Sequence, residues 1–582
     1  MSQLQDLLDK AARSVISDLG IQELNNLQWQ RTRKDFEGEL TLVTFGLTKA
    51  LKKGPEQIAQ EIGERLVAEN EDIESFNVVK GFLNLKMSDS YWVEYLHDIR
   101  QEERFGYSEV DSKAPMMVEY ASPNTNKPLH LGHLRNVFLG WSVSNILAAN
   151  GHPVRRVQIV NDRGIHICKS MYSWLHSDDQ LTPENSGIKG DLLVGKYYVS
   201  FGNQLKLEVA ALVEEGKTKE QAEIEAPSIK GARELLLKWE QKDPEVYGLW
   251  ERMNGWVYEG WKQTFGQMGV SFDKNYYESE TYILGRKVVL EGVAKGIFEQ
   301  DADGSIWIDL SDDGLDRKIL QRSDGTTVYM TQDIGTAIMR FEENPGLAAQ
   351  IYTVGNEQEY HFKVLFLILE KLGYSWASDC YHLSYGMVEL PEGKMKTREG
   401  TVVDADDLMA EMISTARHTT EELGKLEGLN NESRQALFEM IGLGALKYFL
   451  LKVDPRKRMQ FDPNESIDFT GNTAPFIQYT HARIRSILRR VQIDPSIDYT
   501  EKSLHDKERE LIAVLSDYPE VIKEAGENYS PALIANYTYD LVKTFNQYYQ
   551  SVPIITDDGD EVSLQLRLNL LKQTSEVISS GM

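Results

Sequence analysis

The sequence predicts an α/β chain in three parts: a central parallel sheet of the doubly wound kind, a compact α+β segment before it and an all-α segment after it. Three observations predict this. Residues 116–160 run strand, loop, helix, strand, the first 108 residues mix helical and strand-like spacing, and from about residue 430 the apolar spacing is almost wholly helical.

In the first part, Gly54-Pro55 opens a helix, with proline where its missing N–H costs nothing, and Ile58, Ile62 and Leu66 follow at helical spacing. Residues 79–86 then read as a strand around Phe82 and Leu85, and polar sequence over 104–115 reads as a linker. In the second part, 116–120 is β-prone, 121–130 is a loop rich in Ser, Pro and Asn, and 131–150 carries Leu134, Phe138, Trp141 and Leu147 on one helical stripe. Gly151 stands where a left-handed residue closes a helix, and 154–160 is the next strand. Such a βαβ unit implies a Rossmann-type nucleotide-binding sheet. Residues 169–272 read as a helical insertion anchored by Trp239, Trp250, Trp256 and Trp261. The strand rhythm returns at 305–310, 327–330 and 351–354, as though the sheet resumes, and helices follow through Leu437, Ile441 and Tyr448 and again from Thr473. No internal repeat or low-complexity tract interrupts this order.

Composition sets outer bounds. With 582 residues, 41% apolar and 26% charged, the chain is long enough for several cores and excludes disorder. No apolar run nears the roughly 20 residues of a membrane helix. The start, Met1-Ser2-Gln3-Leu4-Gln5-Asp6, lacks a secretory pattern, which places the chain in the cytoplasm with no membrane partner. Two cysteines, Cys168 and Cys380, build neither a disulfide framework nor a Cys-rich zinc site. The net charge of −27 opposes a polyanionic partner overall, yet local patches decide binding, and Arg483, Arg485, Arg489 and Arg490 form one. Its plain alternative is a solvated helix face.

The loop Ser122-Pro123-Asn124-Thr125-Asn126-Lys127-Pro128-Leu129-His130-Leu131-Gly132-His133 carries the chemistry. His130 and His133, three apart at a helix start, can face one ligand. Gly132 lets a base or ribose approach the backbone. A helix amino terminus offers N–H groups to phosphate, so this is an ATP cradle without a Walker loop. The alternative is a pair of histidines that merely cap the helix. Downstream, Gly393-Lys394-Met395-Lys396-Thr397-Arg398-Glu399-Gly400 places cations between glycines and suits a loop that closes on a triphosphate.

Together the two loops resemble the class I aminoacyl-tRNA synthetases, and the rest of the chain resembles their arginyl members. Ser122-Pro123-Asn124 with Lys127 and His130 resembles that family's first motif. Asp324-Gly325-Thr326 leading to Tyr329-Met330-Thr331-Gln332-Asp333 resembles its arginine-pocket segment. Gly471-Asn472-Thr473-Ala474-Pro475 with Gln478-Tyr479-Thr480-His481-Ala482-Arg483 resembles the start of its anticodon-binding domain. Phe45-Gly46, Lys49, Ile58-Ala59 and Gly81-Phe82-Leu83-Asn84 are similar to its amino-terminal tRNA-binding domain.

The resemblance implies a tRNA-binding domain over 1–110, a catalytic domain over 111–455 and a helical anticodon-binding domain over 456–582. It implies that arginine carboxylate attacks ATP, carrying Mg2+ on its triphosphate, and that arginine then passes to tRNA(Arg). No structural metal is implied. Lys127, His130, His133, Lys394, Lys396 and Arg398 would be catalytic. Pro123, Gly132, Met387 and Val388 would join Lys127, His130, His133 and Lys394 in holding ATP. Glu278, Tyr329 and Asp333 would hold the guanidinium, and Asn124, Gln358, Glu119 and His130 the other end of L-arginine; carboxylates in a fixed fork read that planar cation. Tyr479, Arg483, Arg485 and Arg489 would meet tRNA.

In the closing loop Thr397 stands where the class has a second lysine and Lys396 where it has serine; Lys127 occupies the position thought to substitute. The resemblance also implies a monomer, activation that requires bound tRNA, and a short further segment beyond Gly581-Met582. Two rivals remain: a catalytically idle relative that binds RNA, and a shorter nucleotidyltransferase sharing the histidine motif.

Overall fold

The computed structural model describes residues 3–21, 26–33, 35–389, 403–424, 426, 428–555 and 559–582. These form two compact units, Glu109–Ile467 and the combination of Met1–Ser108 with Asp468–Met582.

The first of these holds the parallel sheet, with strands β1 (Met116–Glu119), β2 (Val154–Val160), β3 (Lys274–Tyr277), β4 (Ala349–Gly355) and β5 (Cys380–Tyr385). Their spatial order is β5-β4-β1-β2-β3, and every neighbouring pair is parallel. The chain therefore builds outward from β1 through β2 to β3, then returns to the other side of β1. That reversal puts the carboxyl ends of β1 and β4 side by side, where α/β sheets bind ligands.

Helix α1 (Leu131–Ala149) joins β1 to β2 and ends before Gly151, whose φ of +88° is the left-handed stop expected from the sequence. It lies close on β1. The buried Asn136 side chain accepts the Ala121 N–H at 2.5 Å and donates to the Thr353 carbonyl at 2.6 Å and to the Tyr385 hydroxyl at 3.2 Å, so one amide holds the ends of β1, β4 and β5. Buried Arg135 donates to the carbonyls of Gly386, Asp454, Pro455 and Lys457, fixing the chain just past β5.

Three expectations needed correction. Residues 79–86 are not one strand: Lys80 and Gly81, at φ +51° and +84°, form the turn of a hairpin between Ile73–Val79 and Phe82–Met87. Residues 327–330 are not a strand either, because Tyr329 begins a helix that runs to Glu343. Residues 305–310 do contain a strand, Ile306–Ile308, but it pairs antiparallel with Glu299–Gln300 and Lys318–Gln321 in a separate small sheet. The parallel sheet resumes instead at β3 and β4. Between β2 and β3 the expected insertion is helical, and Trp239, Trp250 and Trp261 are buried there while Trp256 is half-buried.

In the other unit a four-stranded antiparallel sheet, in the order Gln28–Arg31, Leu40–Val43, Phe82–Met87, Ile73–Val79, carries the helix Pro55–Glu69 with Ile58, Ile62 and Leu66 fully buried. Among the described residues, five longer helices fill the carboxy-terminal part, from Ala474–Leu488 to Glu561–Gly581. Arg509 joins the two parts, donating to Glu74 and to the Met87 carbonyl at 3.0 Å each and pairing with Asp89. Among the described residues no helix is long and apolar enough to cross a membrane.

Gly140 on α1 tests the closeness of α1 and β1. A Cβ there would sit 2.3 Å from Tyr120 Cβ, inside contact distance. Helix propensity alone favours Gly140→Ala by about 1 kcal/mol; overpacking predicts a loss of about 1–3 kcal/mol instead. We expect a lower urea midpoint for the variant, and a higher one would show that α1 does not rest on β1 in this way.

Candidate active site

All five strands end on one edge, and a sequence-predicted residue lies just beyond four of them. Asn124 follows β1, Glu278 follows β3 directly, Gln358 follows β4, and Met387 and Val388 follow β5. The turn after β1 is strained into place. Ala121 and Ser122 have φ of +68° and +44°, a left-handed conformation that non-glycine residues adopt only when neighbours hold them there. Here the holders are Asn136 on the Ala121 N–H, Glu119 accepting the Ser122 hydroxyl at 3.3 Å, and that same hydroxyl oxygen accepting the Ile159 N–H at 3.3 Å. The following residues lie beside the end of β2, with Asn161 donating to the Pro123 carbonyl and Thr125 to the Asn161 carbonyl at 3.0 Å each.

His130 and His133 do cap α1, and that is how they are aimed. His130 Nδ1 accepts the Gly132 N–H at 3.2 Å, and His133 Nδ1 accepts the His130 N–H at 3.1 Å. With both Nδ1 atoms accepting, the neutral rings carry their protons on Nε2. The rings sit 4.0 Å apart between centroids. Burial, aided by Lys127, pushes His130 down to about 4, and burial pushes His133 well below the ordinary value. The pair therefore offers two uncharged N–H donors at the helix amino terminus. Charge comes from Lys127, which is half-buried and lowered by that burial. Gly132 is half-buried beside them and Pro123 is buried.

Helix α2 (Ile165–Leu175) follows β2, α3 (Glu278–Thr281) follows β3, α4 (Tyr329–Glu343) precedes β4, and α5 (Glu359–Lys371) follows it. Glu278 is buried, and burial, reinforced by the charges of Asp162 and Asp333 and opposed by Arg163, pushes its carboxyl up to about 7. Tyr329 and Asp333 stand four apart on α4, hence on one face; Tyr329 is exposed, and Asp333 receives His361 Nε2 of α5 at 2.6 Å. Two turns on, buried Arg340 pairs with buried Glu119 at the end of β1, tying α4 to the strand that leads into the histidine loop. Glu119 is thus already engaged by Arg340 and Ser122. Gln358 is exposed at the start of α5.

The loop bearing Lys394, Lys396 and Arg398 lies outside the described residues. Its flanks do not. Val388–Glu389 pairs with Met459–Gln460, and on the far side Leu131 donates to the Val403 carbonyl at 3.2 Å while Ala405 donates to the Leu129 carbonyl at 3.0 Å. The described residue closest to the loop's carboxyl end is therefore hydrogen-bonded to the histidine motif itself.

In the other unit, the helix Ala474–Leu488 presents exposed Tyr479 and Arg485, with Arg489 exposed at its end. Arg483 is half-buried, 5.1 Å from the Tyr479 ring and 5.3 Å from that of Tyr549, and donates to Asn546 at 2.9 Å. Tyr549, also exposed, escaped the sequence reading, as did Asp162, Arg163, Arg135 and Asn136. A charged residue two positions past a predicted strand is the one available signal for Asp162. Tyr549, far along the chain, carries none.

Three comparisons bear on this arrangement. Residues 97–462 match the family of "tRNA synthetases class I (R), catalytic domain", residues 477–582 a "DALR anticodon binding domain", and residues 2–87 an "Arginyl tRNA synthetase N terminal domain". The chain is 52% identical to an arginine–tRNA ligase of Flavobacterium psychrophilum and 54% identical to one of Bacteroides thetaiotaomicron, covering 99% of this chain and 98% of each relative. Its fold is similar to the arginyl-tRNA synthetase of Thermus thermophilus, with a TM-score of 0.77 at 23% identity over 100% of this chain and 98% of that one. The Plasmodium falciparum enzyme gives 0.75 at 18% identity with the same coverage.

The buried imidazoles make an acid-stability prediction. Their folded-state values lie below the unfolded value of 6.5, so the unfolded chain takes up protons that the folded one refuses. Their contribution is complete above about pH 6.5 and is lost as pH falls toward 4. Replacing His130 by Asn, which still caps, should shrink the stability lost between pH 7 and 4.5 by about 2 kcal/mol in urea titrations, and His133→Gln should shrink it in the same direction. An unchanged acid limb would contradict the burial argument.

Proposed function

Since the chain belongs to the arginyl-tRNA synthetase family, we propose that the carboxyl edge of its parallel sheet is where the family's reaction takes place. The chain activates L-arginine with ATP to arginyl-adenylate, releasing pyrophosphate, and transfers arginine to the 3′ end of tRNA(Arg). In the first step an α-carboxylate oxygen bonds to the α-phosphorus as the bridging bond to the β-phosphate breaks. No covalent bond to the protein forms, so the site's work is alignment and charge stabilisation.

The observation that carries the arginine seat is Glu278, a buried carboxyl held up to about 7 by burial and by the charges of Asp162 and Asp333, which Arg163 offsets only in part. A guanidinium supplies the missing charge and five donors in a plane. Asp333 shares that charge and Tyr329 covers it from the same face of α4. Asn124 and Gln358 take the α-amino and carboxylate end, with Glu119 bracing the loop through Ser122 and Arg340. His130 stands where both substrates meet.

ATP enters as its Mg2+ complex, with Pro123, Gly132, Met387 and Val388 along the adenosine. The uncharged His130 and His133 donate Nε2–H bonds to phosphate oxygens, and Lys127 carries the positive charge. Lys394, Lys396 and Arg398 accompany the departing pyrophosphate. Tyr479 and Arg483, with Arg485 and Arg489, face unpaired tRNA bases and phosphates, where stacking and charge act together. We read residues 1–110 as a further tRNA-binding part, 111–455 as the catalytic part and 456–582 as the anticodon-binding part of a cytoplasmic monomer.

ATP–pyrophosphate exchange with each amino acid, with and without tRNA, tests the site. Lys127→Ala should slow arginine-driven exchange at saturating ATP by at least about 100-fold, with a much smaller change in arginine KM; unchanged turnover would remove Lys127 from the reaction. Glu278→Gln should raise arginine KM strongly. It should also stabilise the ligand-free protein at pH 8. The folded-state value of Glu278, about 7, lies above the unfolded 4.5, so its contribution is favourable at low pH and is lost as pH rises through 7. Removing the buried charge returns on the order of 2 kcal/mol above that point, and a Tm at pH 8 no higher than that of the parent would contradict it.

A further inference from the structure

Glu278 stands on α3, a single turn whose position is set by Asp162 and Arg163, two and three residues past the end of β2. Asp162 is 1% exposed; one carboxylate oxygen accepts the Ser279 N–H at 2.9 Å, and the other accepts the Ser279 hydroxyl at 2.7 Å and the Tyr258 hydroxyl at 3.3 Å. Its backbone carbonyl accepts Trp250 Nε1–H at 2.6 Å and Asn254 Nδ2–H at 3.2 Å, so Asp162 is fixed to the helix Pro244–Met268. Arg163 lies over the Tyr282 ring at 3.9 Å and reaches Glu240 at 3.4 Å. Tyr282 in turn donates its N–H to the Glu278 carbonyl at 3.0 Å. Adjacent residues of opposite charge thus grip α3 at Ser279 and at Tyr282, with Glu278 at its start.

We propose that Asp162 and Arg163 are positioning residues that set the charge state of Glu278, and with it the strength and pH range of guanidinium binding; this rests on the reading of Glu278 as a ligand of that group. The groups acting on Glu278 come from two elements. Asp162 and Arg163 lie on the turn from β2 to α2, and Asp333 lies on α4. Behind them stand Tyr258 on Asp162, Glu240 on Arg163 and His361 on Asp333. Arg163 favours the ionised carboxylate and Asp162 opposes it, so the two act with opposite signs from neighbouring positions. A protein that must bind a cation at neutral pH in a buried seat needs such a balance. Without Arg163 the carboxyl keeps its proton and accepts the guanidinium poorly; without the charge of Asp162 it ionises early.

The test is arginine-dependent ATP–pyrophosphate exchange by the full chain with tRNA(Arg), from pH 6 to 9, read as kcat/KM for arginine, which reports the free enzyme. For the parent, kcat/KM should rise with pH around a midpoint near 7. Arg163→Gln should move that midpoint upward by about one pH unit and so raise arginine KM at pH 7 by about fivefold, with kcat falling less than KM rises. Arg163→Lys should keep the parent midpoint. Asp162→Asn, which retains an oxygen for Ser279, should move the midpoint downward. If both charge-removing variants raise KM by the same factor at every pH, or Arg163→Lys behaves like Arg163→Gln, the inference is wrong. If Asp162→Asn fails to fold, the two Arg163 variants decide. Glu278→Gln separates the two levels: an unchanged arginine KM overturns the reading of Glu278, whereas a raised KM alongside unmoved Arg163→Gln midpoints overturns only the role of Arg163 and Asp162.

Discussion

Five strands that all run parallel leave their carboxyl ends on one edge, and the proposed site is built along it. Asn124, Asp162, Glu278, Gln358 and Met387 are far apart in sequence, yet each lies a few residues past a strand of the same sheet. The reversal of strand order between β1 and β4 opens a place for ligands there. Asn136 and the Glu119–Arg340 pair then convert a topological tendency into fixed geometry, because each binds strand ends or helices that the chain itself does not connect.

The electrostatics follow from burial. Water would keep imidazoles protonatable and carboxylates charged; removing it leaves His130 and His133 neutral and leaves Glu278 reluctant to ionise. Neutral imidazoles with the proton on Nε2 can donate hydrogen bonds without fixed positive charge, so the positive charge at this helix terminus comes from Lys127. On the other side, burial of Glu278, with the charges of Asp162 and Asp333 only partly offset by Arg163, costs stability as pH rises through 7.

The sequence made the βαβ unit, the histidine motif and the helical carboxy-terminal part legible, since all three rest on local period or on residues close together. It was silent where long-range contacts decide. Nothing local distinguishes Arg135 or Asn136 from other residues of α1, and Asp162 needs the fold to bring Ser279 to it. Tyr329, read as strand from β-prone neighbours, begins a helix because tertiary packing of α4 outweighs local preference. Residues 79–86 looked like one strand because Lys80 gives no turn signal of its own, although Gly81 does. Capping and ligand binding by the two histidines are not exclusive readings of the motif, because the capping bonds leave each Nε2 unused by the cap.

A crystal structure with a non-hydrolysable sulfamoyl analogue of arginyl-adenylate tests the central claim most directly. The account predicts the guanidinium between Glu278 and Asp333, and the sulfamoyl oxygens, which stand in for the α-phosphate, within hydrogen-bond distance of His130 or His133 Nε2. A guanidinium bound away from Glu278, or a sulfamoyl group out of reach of both imidazoles, would contradict it.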